Sequence, residues 1–248
     1  MSRGLKILFA LVAVIALFVM TAPASLVTSV IPEENSAVTL SGFQGKVLDG
    51  EASQVNFKGI PIQNVKWDLD FISSITGTPS ATVAINDPEM QLSSDLEFSS
   101  ERSWSVSELN GNLQAAKLLQ LVPNLRRIGL GGDATFDNVS VALADIAFEA
   151  GEGTVQWNNA SMSINNQPLN LETITAEFGL EGDDLVLDYL GSSALSPNGR
   201  IKLTPAGAYD MTLNITPTAL PQNMQMITNF GKKSPDGTVI FELKGRLR

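Results

Sequence analysis

Tyr209-Asp210-Met211-Thr212-Leu213-Asn214-Ile215 is the stretch that decides the fold. Every second residue is apolar, and successive side chains of a strand point to opposite faces, so this heptapeptide reads as a strand with one dry and one wet face. The same period returns at Ile174 to Leu180, with shorter versions at Thr82 to Ile85, Leu96 to Phe98, Val139 to Phe148, Met162 to Ile164, Leu185 to Tyr189, Ile201 to Leu203 and Val239 to Leu243. Turn-forming clusters such as Asn165-Asn166, Glu181-Gly182-Asp183-Asp184 and Pro197-Asn198-Gly199 separate these runs at hairpin intervals. The expected fold class is all-β: an antiparallel meander of many short strands with one wet face and one dry face.

Two segments break the alternation and are expected as short helices. They are Leu113 to Leu121, stopped by Pro123, and Leu220 to Phe230, stopped by Gly231. Around them the sequence hints at an internal duplication, with halves at 45–145 and 153–248. Gly45-Lys46-Val47 with Ala52-Ser53 is echoed by Gly153-Thr154-Val155 with Ala160-Ser161, Pro61-Ile62 by Pro168-Leu169, and Gly132-Asp133-Ala134-Thr135-Phe136 by Gly237-Thr238-Val239-Ile240-Phe241.

The N-terminus is compositionally separate. Arg3 and Lys6 precede the uninterrupted apolar run Ile7 to Met20, and no charge follows until Glu33. Residues 1–24 therefore read as a cytoplasmic stub and transmembrane anchor, and 25–248 as the body. The basic residues Arg3 and Lys6 set the topology by holding the N-terminus in the cytoplasm, which places the body across the membrane. Leu5 to Ala22 as a helix would span roughly 27 Å at 1.5 Å per residue, close to the hydrocarbon thickness. Ala22-Pro23-Ala24 also fits a signal-peptidase site, so cleavage after Ala24 is the alternative to a retained anchor.

Of the 248 residues, 26 are acidic and 16 basic, for a net charge of −10. Setting Arg3 and Lys6 aside leaves 14 basic residues and a charge of −12 in the body. No stripe of Lys and Arg is present, which argues against nucleic acid as a partner. Histidine and cysteine are both absent. That removes the commonest general base, the commonest metal ligand, disulfides and thiolate sites. A serine nucleophile would need a Lys or carboxylate partner, and neither a Ser-x-x-Lys nor a Gly-x-Ser-x-Gly pattern occurs in the body.

Carboxylates remain as candidates: Asp49 with Glu51, Asp68 and Asp70 beside Trp67, and Asp183-Asp184. Asp68 and Asp70, two apart on a strand, would share a face and could hold a hard cation, but a wet strand face produces that spacing without selection for metal. No catalytic residue, cofactor or metal is expected. The sequons at Asn138, Asn159 and Asn214 read as turn and strand residues. Trp67 is expected to face the core.

Pro23-Ala24-Ser25-Leu26-Val27 directly after the apolar run, followed by Leu40-Ser41-Gly42-Phe43-Gln44-Gly45-Lys46-Val47-Leu48-Asp49-Gly50-Glu51-Ala52, resembles the start of the type II secretion system protein N family. The family's G-x-x-G-x-x-W-x-G-x-A stretch is matched by Gly42, Gly45, Gly50 and Ala52, with Leu48 at the position where the family usually has Trp. The likeness continues through Val65-Lys66-Trp67-Asp68-Leu69, Leu109 to Leu113, Gly199 to Leu203 and the closing Phe241 to Leu247. The resemblance implies a bacterial inner-membrane protein with its bulk in the periplasm and no catalytic residues. It would work with other secretion subunits, namely the inner-membrane platform and the outer-membrane secretin.

Two further readings stand beside a structural subunit: a periplasmic β protein that binds or transfers lipid, and a hydrolase with an unrecognised site. A fully packed core would favour the interaction module, an open apolar trough along the sheet would favour lipid, and convergent polar groups in a pocket would favour the enzyme.

Overall fold

The structure, a computed structural model, describes residues 21–26, 38–57, 59–100, 103–117, 128–164, 167–193, 195–216 and 231–246. They contain fourteen strands, and the chain divides into two compact units, Met1–Pro88 and Glu89–Arg248. The division falls inside the first of the two expected repeat halves.

The first unit holds β1 (Val38–Gly45), β2 (Asp49–Phe57), β3 (Ile60–Leu69) and β4 (Ser80–Asp87), each pairing antiparallel with the next. Ahead of them, Ala24–Leu26 form a single 3₁₀ turn. The segment entering that turn is already part of the fold. The Val47 N–H donates to the Ala22 carbonyl at 2.9 Å, Pro23 bridges to Lys46, and Ala24 is 1% exposed.

Between β3 and β4 lies a short helix, α1 (Phe71–Thr76), that the alternation does not foretell. Its signals are local. The Asp70 carboxylate accepts the Ile72 N–H at 2.8 Å as N-cap, and Gly77, at φ 101°, closes the C-terminus in the left-handed conformation. Asp70 thus lies beyond the strand that carries Asp68, and the expected shared face of the two carboxylates is corrected to one exposed strand residue and one helix cap.

The second unit is a longer meander: β5 (Met90–Ser100), β6 (Ser103–Gln114), β7 (Ile128–Ala144), β8 (Ala147–Ile164), β9 (Gln167–Glu181), β10 (Asp184–Gly191), β11 (Asn198–Leu203), β12 (Ala208–Ile215), β13 (Lys232–Lys233) and β14 (Val239–Arg246). Neighbours in sequence pair antiparallel up to β12; β14 then joins β12, and the two-residue β13 lies outside it. The deciding heptapeptide occupies β12. The expected run Val139 to Phe148 is two strands, because Asp145 takes φ 50° and turns the chain between β7 and β8. Asn198-Gly199, expected in a turn, open β11.

Of the two expected helices, Leu113 and Gln114 are the end of β6, and residues 115–117 are helical. The remainder of that segment and all of Leu220 to Phe230 lie outside the described residues. So does the run Ile7 to Met20; among the described residues no helix is long and apolar enough to cross a membrane.

The long strands are not regular. Register shifts occur at Ser93/Asp95 in β5, Val106/Leu109 in β6, Asp137/Ser140 in β7 and Trp157/Ala160 in β8. Left-handed residues mark many of them: Glu108 at φ 52°, Asn138 at 48°, Asn159 at 49° and, in β9, Glu172 at 59°. Bulges free backbone groups, and side chains satisfy several of them. The Ser94 hydroxyl donates to the Ser107 carbonyl, while Ser140 Oγ accepts the Glu108 N–H, Asn110 Oδ1 the Asn138 N–H and Asn170 Oδ1 the Glu172 N–H. Bulges aligned across adjacent strands bend the ribbon, so these Ser and Asn residues serve curvature, and the Asn138 and Asn159 sequons belong to it.

Candidate functional site

The pairing register of the second unit stacks apolar residues into rows that run across the strands. One row is Val155, Ala176, Tyr189, Gly199, Leu213 and Phe241; another is Phe178, Leu187, Ile201, Met211 and Leu243. The opposite face carries charge in the same register. Arg200 forms paired bonds with Asp188 and reaches Glu181, Lys202 pairs with Asp184, and Lys244 with Asp210. These exposed pairs contribute little stability each, but they keep that face in water.

The core cluster of the unit gathers Ala160, Leu169, Leu171, Leu195, Ile215 and Val239, the last with no exposed surface. Beside this cluster the dry face of the described residues does not close. It forms a trough of about 540 Å³ whose walls include Trp157, Ile174, Leu187, Met211, Leu213 and Phe241. Its lining residues come from β7 to β12, β14, Ala115 after β6, and the segment holding Leu195 and Pro197. The volume is within the roughly 300–1,000 Å³ of ligand sites.

Among the described residues the trough offers no polar handle left free. Two lining residues have one, and each spends it on the wall: the Trp157 indole N–H donates to the Gly131 carbonyl at 3.0 Å, and the Tyr189 hydroxyl to the Thr212 carbonyl at 2.6 Å. Among the described residues the one buried side-chain polar atom without a partner is Ser193 Oγ, which does not line the trough.

Burial pushes the Tyr189 hydroxyl up to about 12 from its ordinary 10. A raised value means that the folded state holds the proton more tightly. The stabilisation is therefore complete below pH 10 and is lost as pH rises toward 12. An ultraviolet phenolate titration should show Tyr189 ionising late, and unfolding by urea should become easier across that window.

The residues that carry the resemblance do structural work in the first unit. Gly42 and Gly45 take φ 70° and 80°, and Gly45 opens the hairpin in which the Lys46 N–H donates to the Asp49 carbonyl. Gly50 faces Trp67 across β2 and β3, and an added Cβ there would overlap the indole ring. Ala52, with no exposed surface, sits between Phe43 and Val65. Trp67 is half-buried and not wholly in the core as expected, with its indole N–H donating to the Val47 carbonyl at 2.8 Å. Asp49 opposes Asp68 across the same strand pair, and among the described residues no cluster of carboxylates could hold a metal ion.

The trough itself is not legible in the sequence: the alternating rows are, but not that their dry faces remain open.

The architecture is that of an antiparallel meander carrying an apolar trough. The family model of type II secretion system (T2SS), protein N, matches residues 36–241, and the chain belongs to this family. It is thereby a component of a secretion system. No curated protein and no solved structure matches the chain.

Proposed function

We propose that this chain is a non-enzymatic subunit of the type II secretion machinery, retained in the inner membrane by residues 1–24 with its β body in the periplasm, and acting by contact with the inner-membrane platform and the secretin. The family match over residues 36–241 carries the reading. Retention of the anchor is supported by the packing after the apolar run: a cut after Ala24 would remove the Ala22 carbonyl that accepts the Val47 N–H, together with a residue that is 1% exposed. Contact, and not bond chemistry, is supported by the composition, which lacks His and Cys. The duplicated halves belong to the same proposal, supported by Ala52 and Ala160, which occupy echoed positions and have no exposed surface.

The test is secretion of a type II substrate by a deletion strain complemented with variants, with co-purification of other subunits measured alongside. Asp68→Ala and Asp183→Ala should each restore secretion, since exposed substitutions usually change stability by less than about 0.5 kcal/mol, and Asp184→Ala, at a half-buried residue paired with Lys202, should restore it at the cost of that ion pair. An abundant, folded carboxylate variant that fails to secrete would refute the non-enzymatic reading.

A further inference from the structure

We infer that the trough of the second unit holds an acyl chain of a zwitterionic membrane phospholipid, with the headgroup left outside in water. The inference rests on the inner-membrane reading above for the identity of the lipid, and on the geometry for everything else.

The occupant must be without polar groups along its length. Any peptide strand laid in the trough would bring N–H and C=O groups to walls whose two polar tips are already committed, to Gly131 and Thr212. A hydrocarbon chain has no such groups to satisfy. It would also have room to lie lengthwise. The lining residues Leu169, Leu171, Ile174 and Ala176 follow one another along β9. At 3.3 Å per residue they extend about 23 Å.

Beyond the lining the same face stays apolar, and there Leu180 is 41% and Leu243 56% exposed. Such exposure suits a channel that a chain enters from the end more than a sealed core. Charge selects among lipids. The cations of these strands are already paired, Arg200 with Asp188, Lys202 with Asp184 and Lys244 with Asp210, so none of them is left to hold a free fatty-acid carboxylate or an anionic headgroup, and a zwitterionic one needs no such partner.

The experiment uses the full chain in vesicles of phosphatidylethanolamine, part of it carrying a photoreactive diazirine midway along one acyl chain. Irradiation should attach lipid to peptides of β10, β12 and β14 as well as to residues 7–20. Ala176→Phe, which fills the trough from its floor, should reduce attachment to the three strands at least fivefold with the melting temperature nearly unchanged; Glu177→Ala on the wet face should leave it unaltered. Should Ala176→Phe fail to fold, Met211→Gln, at a half-buried wall position, should give the same selective loss. Attachment confined to residues 7–20, strand attachment that both trough variants leave intact, or displacement of the lipid by an anionic analogue at equal concentration would overturn the inference. The two proposals fail separately. Co-purification of secretion subunits without strand labelling removes the lipid alone, and strand labelling without any secretion subunit removes the secretion role alone.

Discussion

Gly111→Ala should abolish most of the folded protein, costing about 3 kcal/mol or more. Gly111 sits at φ 129° in β6, a conformation that side chains rarely adopt, and an added Cβ would run into the Gln91 carbonyl and the Leu92 backbone of β5. Both neighbours are main chain, so neither can swing aside, and the β5–β6 pair would have to part. Gly237→Ala is the matched control, because Gly237 also has a positive φ, 90°, but an added Cβ would meet open space. It should cost only about 1–2 kcal/mol, the conformational term by itself. Steady-state abundance in cells and urea unfolding followed by far-ultraviolet circular dichroism would read the contrast. Equal stability of the two variants would mean that the close approach of β5 and β6 is not what this position is for.

Trp67→Ala should be the second large loss, about 2–3 kcal/mol. A fully buried tryptophan would cost more, but Trp67 is only half-buried. Part of the loss comes from the indole contact over Gly50, and part from leaving the Val47 carbonyl without its 2.8 Å donor. Trp67→Phe keeps the ring and loses the bond, and should cost about 1 kcal/mol. The same urea titration separates the two contributions. If Trp67→Phe proved as damaging as Trp67→Ala, the hydrogen bond and not the packing would hold the β2–β3 pair.

How far the fold could be read ahead differs from element to element for physical reasons. β12 and β9 declared themselves because one face is wet and the other dry, and a period of two survives in sequence. α1 did not, since six residues between a capping Asp70 and Gly77 are too few to establish a helical period. The turn at Asp145 was hidden inside an unbroken alternating run because the residue that bends the chain is an aspartate in a left-handed conformation and not a glycine. Gly50 and Trp67 stood out by resemblance seventeen residues apart, and only the β2–β3 register shows that one is the seat of the other. The trough was least legible of all. Its existence depends on how strongly the bulged strands curve, a property of many small backbone deviations.

Tyr189 crosses β11 at Gly199 to reach Thr212, and Tyr209 lies over Gly245 in the same manner. A glycine in a strand is ordinarily counted as a weakness, yet here it is a recess that lets an aromatic ring recline. A Cβ at 199 would overlap the Thr212 carbonyl as well as the Tyr189 hydroxyl bonded to it, so the ring would lose its seat and turn toward the trough, and the hollow would shrink without a single wall residue having changed. The capacity of the trough is therefore governed from beneath its floor. In related chains, the size of what can be held should track residue 199 more closely than the aliphatic residues that touch the contents.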